Sequence, residues 1–184
     1  MDIIINAKGG QQATEAAGLM VLAADFDGKF GQSHPSFICE RKGTPIRTFL
    51  RLDDQPITIR NRVYTADCNV FADRRMVDVM DLAQGLKEGG TVILDAPKKP
   101  SNLRLNGKIK KAGIVDATGI ANKLLGPAFL PQTGLPMMAA LAATTGFVSL
   151  DAIIRAIRQR MSGDEAWLAE EAVRLAFENT KVLG

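Results

Sequence analysis

The chain opens with a short β-branched run, Asp2–Asn6, that reads as a buried strand. It runs into the glycine turn Ala7-Lys8-Gly9-Gly10-Gln11-Gln12 and then into Ala13–Asp25, where Ala16, Ala17, Met20 and Ala24 share one helical face. Strand, glycine turn and helix in immediate succession point to an α/β fold. Backbone N–H groups of such a turn, at the positive end of a helix dipole, suit phosphate or another anion, and Lys8 adds a charge beside Gly9 and Gly10. The turn has neither the full G-x-G-x-x-G of a dinucleotide site nor the GK[ST] ending of a P-loop. Two readings stay open: an anion site, or glycines that only make the turn. Gly18 costs its helix something relative to Ala, and close approach of the helix to a sheet is the expected return.

The pattern continues as alternating short strands and helices. Lys29–Phe37 is expected to be extended and Ile38–Pro45 to form a charged loop. Ile46–Leu52 alternates well, and after the turn Asp53-Asp54-Gln55-Pro56 a second strand is expected at Ile57–Arg60, making an inserted antiparallel hairpin. Cys68–Ala72, Thr91–Asp95 and Gly113–Asp116 read as further strands, with helices at Met76–Lys87, closed by Gly89-Gly90, and at Thr118–Leu125. Pro97–Lys111 lacks an apolar period and carries six cations, as a solvated or partner-facing excursion would.

The last third is helical. Met137–Thr145 is Ala-rich and suited to tight packing. Ser149 is a good N-cap for a helix with Leu150, Ile153, Ile154 and Ile157 on one face, and Glu165–Lys181 forms a last helix containing Trp167. The expected architecture is a Rossmann-like three-layer sandwich: a mixed, mostly parallel sheet with an inserted hairpin and C-terminal helices. With 184 residues and no linker or repeat, residues 1–184 are expected to form a single domain.

Composition removes several functions. The net charge of +3 is small for this length, and no basic stripe interleaved with aromatics suggests nucleic acid. The opening apolar run lacks the basic flank and length of a signal peptide, and no stretch approaches the ~18 apolar residues of a membrane span, so a cytoplasmic protein is expected. Two separated cysteines, Cys39 and Cys68, and a single histidine, His34, make an iron–sulfur cluster or a zinc site hard to assemble. Electron carriers for any redox chemistry are expected on other chains, with no metal on this one.

The segment from Ser33 to Pro45 concentrates His34, Glu40, Arg41 and Lys42 between turn residues. Such a loop suits an anionic ligand or a neighbouring subunit, since arginine contacts carboxylate and phosphate in bidentate fashion. Cys39 beside these cations is either a reactive thiol or a small buried hydrophobe. No nucleophile elbow supports a triad built on His34.

Four stretches, in order, resemble one family. Ala7–Gln12 is similar to the G-x-G-G-Q-G turn of gamma subunits of pyruvate and related 2-oxoacid:ferredoxin oxidoreductases. Pro35–Pro45 resembles their P-S-F-G-x-E-R-R-G-A-P, Pro56–Arg60 their P-I-R-x-R, and Thr145–Leu150 their T-G-L-V-S-L. The resemblance implies a subunit that is not active alone. Alpha, beta and delta-type subunits would complete an enzyme that oxidatively decarboxylates a 2-oxoacid to an acyl-CoA. Thiamine diphosphate with Mg and iron–sulfur clusters would sit on those partners, with ferredoxin or an NAD-linked acceptor served through the complex. The gamma part would help bind and present coenzyme A. On that implication Lys8, Gly9, Gly10, Gln11 and Gln12 are the coenzyme A contacts, and His34, Arg41 and Lys42 serve ligand or interface, with no catalytic residue on this chain.

The sequence also departs from the pattern. Ala7 and Gln12 replace the first and last glycines of the turn, and a Gln there is expected to narrow the turn or resist positive φ. Gln132–Ala139 only loosely echoes the family's N-x-x-M-L-G. These differences suggest a divergent branch, for instance one using a bulkier 2-oxoacid such as phenylglyoxylate. A purely structural assembly subunit and a stand-alone Rossmann-type nucleotide-binding protein are the alternatives; the latter needs a complete glycine fingerprint.

Overall fold

The computed structural model describes residues 1–36 and 41–184. In chain order the elements are β1 (Asp2–Lys8), α1 (Ala13–Phe26), β2 (Phe30–Pro35), β3 (Pro45–Asp53), β4 (Ala66–Phe71), α2 (Arg74–Val79), β5 (Leu86–Asp95), β6 (Ile109–Val115), α3 (Ala117–Leu125), α4 (Gly134–Thr145), α5 (Leu150–Arg160), α6 (Gly163–Asn179) and β7 (Lys181–Leu183). The strands form one sheet in the order β2-β3-β1-β4-β5-β6-β7. Its centre, β1, β4, β5 and β6, is parallel, and β3 and β7 join it antiparallel on either side. The α/β class, the mixed sheet with its parallel core and the helical C-terminal third are as expected; the antiparallel edges make half of the six strand pairings antiparallel.

The two faces of the sheet are covered unequally. Ile3, Ile5, Cys68, Val70, Ile93 and Val115 point into one core with α1, α4 and α5 and the buried side of α6. Helix α4 is buried nearly all round, with Met137, Met138 and Leu141 fully enclosed, which is why its sequence has no polar face. The opposite face, carrying Phe71, Val92, Leu94, Ala112 and Ile114, is covered only by the short α2 and by loop anchors such as Leu82 and Leu103. This thinner layer leaves an open groove beside β1.

Several local expectations hold because local chemistry decides them. The buried residues of α1 include Ala16, Ala17, Met20 and Ala24. Ser149 Oγ accepts the Ala152 N–H at 3.1 Å and caps α5, whose Ile153, Ile154 and Ile157 are buried.

Others are corrected. Residues Ile57–Arg60 are not a strand: β3 is already paired on both edges, with β1 on one side and β2 on the other. The hairpin is therefore β2–β3. The carbonyls of Ile59 and Asn61 instead accept hydrogen bonds from the buried Arg51 guanidinium, at 3.3 and 2.6 Å. The helix expected over Met76–Lys87 ends at Val79, where Met80 turns to an extended backbone. Asp81 Oδ1 then accepts the Ala83 N–H in a turn, and Leu86 already pairs with Ala66 as the start of β5. Gly89 and Gly90 thus lie inside β5, at a register shift against β6, rather than closing a helix. The excursion from Pro97 ends early, since Ile109–Lys111 belongs to β6. The last helix stops at Asn179, and Lys181–Leu183 returns as the edge strand β7, which pairs with β6. Gly18 is exposed with nothing near an added Cβ, so it serves no close approach. That role falls to Gly31, where a Cβ would lie 2.9 Å from the Val21 Cα, and to Gly113, packed against Thr144.

Candidate functional site

The chain leaves β1 through α1 toward β2 on one side of the sheet, and leaves β4 through α2 toward β5 on the other. The carboxyl ends of the adjacent β1 and β4 therefore flank a topological switch point, where open α/β sheets place their ligands. Lys8 ends β1, and Asp73 follows β4. Their side chains meet across the switch point: Lys8 Nζ lies 3.2 Å from both Asp73 oxygens. Asp73 also caps α2 through the Arg75 N–H, at 2.9 Å.

The glycine turn is held from every side. Buried Gln11 accepts the Lys8 N–H through Oε1 at 2.8 Å and donates through Nε2 to Asp73 at 3.3 Å. Gly9 N–H donates to the Thr44 carbonyl, and Gly43 N–H donates to that of Gly9. A Cβ on Gly9 would lie 2.5 Å from the Arg41 carbonyl oxygen, so this contact requires glycine. Gln12 takes the left-handed conformation, φ 58°, directly before α1 and gives that helix no side-chain cap. The expected resistance to positive φ is therefore overcome rather than avoided. Gly134 N–H donates to the Gln11 carbonyl at 3.0 Å, and a Cβ on Gly134 would meet the Gln12 carbonyl oxygen at 2.4 Å, so α4 starts hard against the α1 N-terminus.

On the thinly covered face, a cleft of about 620 Å³ opens beside the turn. Among the described residues, Lys8, Arg47, Arg62 and Arg75 line it together with Asn6, Ser36, Pro45, Ile46, Met76, Val79 and Met80, and no acidic residue does. Arg47 Nε donates to Asn6 Oδ1 at 3.3 Å, and the Arg75 guanidinium lies 5.3 Å from the centroid of exposed Phe129. Four cations over an apolar, methionine-containing wall form a site for a ligand that is anionic at one part and apolar at another.

The residues singled out from the sequence do not share one surface. Lys8 lines the cationic cleft, Gly9 and Gln11 are buried in the turn, and Gly10 faces Lys42 and Leu130. Gln12 lines a different recess, among α3, α4 and α6. Arg41 and Lys42 are exposed beside the turn. His34 lies on β2 with its ring 5.5 Å from that of Phe49 and away from the cleft lining. Desolvation lowers its pKa, and the nearby Arg51 charge lowers it further. Cys39 and Glu40 fall outside the described residues, and burial pushes the Cys68 thiol far up, leaving it inert. Asp73, Arg47, Arg62 and Arg75 were not singled out. Asp73 carried a signal, as an N-cap type just after an apolar strand; the three arginines come together only in the fold.

The family model described as pyruvate ferredoxin/flavodoxin oxidoreductase matches residues 2–179. The chain belongs to this family, as a gamma subunit. It is 38% identical over 184 residues to the pyruvate/ketoisovalerate oxidoreductases common subunit gamma of Thermococcus litoralis, covering 99% of this chain and 98% of that one. The crystal structure of pyruvate oxidoreductase subunit PORC from Thermotoga maritima superposes with a TM-score of 0.81 at 27% identity, over 100% of this gamma chain and 98% of that one. The 2-oxoglutarate:ferredoxin oxidoreductase of Magnetococcus marinus, solved with 2-oxoglutarate, coenzyme A and succinyl-CoA bound, shares the fold at a TM-score of 0.70 and 13% identity. That match covers 97% of this chain and 31% of the larger one. The gamma chain is thus one part of a 2-oxoacid oxidoreductase.

Proposed function

We propose that this gamma subunit binds coenzyme A in the cationic cleft and presents it to an acyl group formed on a partner subunit. The observation that carries the reading is an apolar-walled cleft at the switch point lined, among the described residues, by four cations and no acidic side chain, with Lys8 paired to Asp73 behind it. Coenzyme A combines phosphates with a long, largely neutral arm, which matches that lining. Lys8 makes the turn's contact with the ligand, alongside Arg47, Arg62 and Arg75. Gly9, Gly10, Gln11 and Gln12 hold the turn in shape, and His34, Arg41 and Lys42 lie toward the subunit interface. The presence of coenzyme A in the structurally similar Magnetococcus enzyme supports the ligand class.

In this reading alpha, beta and delta-type partners hold thiamine diphosphate, Mg and the iron–sulfur clusters. They form the acyl intermediate and pass its electrons to ferredoxin or an NAD-linked acceptor, in a cytoplasmic complex. The gamma chain supplies no acid, base or nucleophile. Its contribution is placement, which lowers the barrier by holding the thiol near its target. The bulkier-substrate reading, phenylglyoxylate included, is tested by turnover on a panel of 2-oxoacids, and a strict preference for pyruvate removes it.

The test is coenzyme A titration of the purified holoenzyme carrying Arg47→Ala or Arg75→Ala. Both side chains are exposed, so the fold tolerates their loss. Each variant is expected to weaken coenzyme A by roughly tenfold, the worth of one charge-assisted hydrogen bond. Unchanged affinity in both leaves a purely structural subunit.

A further inference from the structure

Strands β5 and β6 are parallel neighbours, so the chain between them must travel back along the sheet, a return that is usually made through a helix. Here residues 96–108 make it without one. The segment crosses the thinly covered face, where Leu103 is buried in one cluster with Val92, Leu94 and Ile114. Asn102 Nδ2 donates to the Val77 carbonyl of α2 at 2.7 Å. Pro97 and Pro100 fix their own φ, and Asn106 Oδ1 accepts the N–H groups of Lys108 and Ile109 at 2.9 and 3.1 Å. The connection is a strap built to hold its shape.

Its outer side is cationic. Lys98, Lys99, Arg104 and Lys108 are exposed along it, and exposed Lys110 follows at the start of β6. Lys111 is the exception: partly buried, it donates to the Thr144 carbonyl near the end of α4. Residues 96–111 contain no Asp or Glu, and without the five exposed charges the chain's net +3 becomes −2. Glu88 reaches toward Gly107, yet none of the five cations forms an ion pair among the described residues. Like charges strung on a fixed strap repel one another, a cost that an opposing charge removes. Among them Leu105 is 40% exposed.

We infer that the strap is a docking surface for an acidic patch on a neighbouring subunit of the oxidoreductase, with Leu105 as the apolar contact within it. The chain is one part of such an enzyme, and charge complementarity sets the chemistry of the partner surface. A protein surface fits better than other anionic partners. Residues 96–111 hold no aromatic side chain on which a base could stack, and no amphipathic helix that could lie on a membrane. The fixed backbone lowers the ordering cost of docking. None of the five cations lines the cleft beside the glycine turn, so the inference stands apart from the coenzyme A reading.

The experiment uses holoenzyme captured through a tag on another subunit and measures the gamma chain retained on dilution. It is run at about 0.1 M and about 1 M sodium chloride, where the screening length is about 10 Å and about 3 Å. Lys99→Glu combined with Lys108→Glu is expected to weaken retention by roughly tenfold at low salt and to approach wild type at high salt. Lys123→Glu combined with Arg160→Glu makes the same charge change at exposed positions on α3 and α5 and is expected to leave retention unchanged. Leu105→Ala is expected to weaken retention by roughly fivefold at both salt concentrations. All five substituted side chains are exposed, so the fold tolerates the changes. Wild-type retention in the Lys99 and Lys108 double variant overturns the docking surface, as does an equal loss in the control pair or full retention in Leu105→Ala. Strap-dependent binding of an oligouridine probe with unchanged gamma retention also overturns it and assigns the cations to nucleic acid.

Discussion

At the residue scale, two positions, one at the N-terminus of α1 and one within it, are not at their best for stability. Gln12 is the one non-glycine with positive φ among the described residues. The left-handed region costs an L-residue about 1–2 kcal/mol, part of which glycine gives back as chain entropy. Gln12→Gly is therefore expected to raise stability by about 0.5–1 kcal/mol in urea unfolding. Gly18 presents the reverse case: it is helical, exposed and open to a Cβ. Gly18→Ala is expected to stabilise by about 0.5–1 kcal/mol, and a lower unfolding midpoint would contradict the open space seen there. Both positions were visible in the sequence. What was not visible was the sign at Gly18, because its value depends on whether a neighbour approaches, and none does.

At the scale of elements, β3 shows how pairing rather than pattern decides a hairpin. Ile57–Arg60 looks extended, but its prospective partner has no free edge. The segment is held instead by Arg51, which is 9% exposed and donates to Asp2 Oδ1 at 2.8 Å and to the Ile59 and Asn61 carbonyls and Asn61 Oδ1. Arg51→Ala leaves these acceptors without a donor and is expected to cost about 3 kcal/mol. Faster amide exchange confined to residues near 54–64 and to the start of β1 is the accompanying signature. The β2–β3 pair also carries a pH dependence. Burial and the Arg51 charge lower the pKa of His34 from 6.5, so the unfolded chain takes up a proton before the native one does. This stability is fully present above the unfolded value and is lost as pH falls from about 6.5 toward the native value. Since His34 is the one histidine in the chain, His34→Phe is expected to flatten the stability profile in that window; an unchanged slope would place its origin in the carboxylates.

At the scale of the whole molecule, the fold separates a thick layer that stabilises from a thin one that binds. Helices α1, α4, α5 and α6 close one face of the sheet, and the cationic cleft opens on the other, beside the switch point. The isolated gamma chain is accordingly expected to fold and to show no 2-oxoacid oxidoreductase activity in an acceptor-reduction assay. Turnover by the chain alone would overturn the subunit assignment. Among the described residues no group of three or more His, Cys, Asp and Glu is placed to hold a metal ion, and no helix is long and apolar enough to cross a membrane.

The sequence by itself determined the elements whose cause is local. Asp2–Asn6 is a strand because β-branched side chains suit it, α1 starts after a glycine turn, and Ser149 caps α5. It also supplied the family, since four short stretches in a fixed order are together more specific than any one of them. Tertiary structure decided whatever depends on long-range pairing: that β2 rather than Ile57–Arg60 joins β3, that Lys181–Leu183 closes the far edge, and that α2 stops at Val79. It decided the site for the same reason. Lys8, Arg47, Arg62 and Arg75 come from four separate stretches of chain, and each is an ordinary cation until β1, β3, the segment after β3 and α2 are set around one cleft. Buried Gln11, tied to Asp73 from 62 residues away, shows the limit from the other side: its neighbours in sequence say ligand, and its neighbours in space say scaffold.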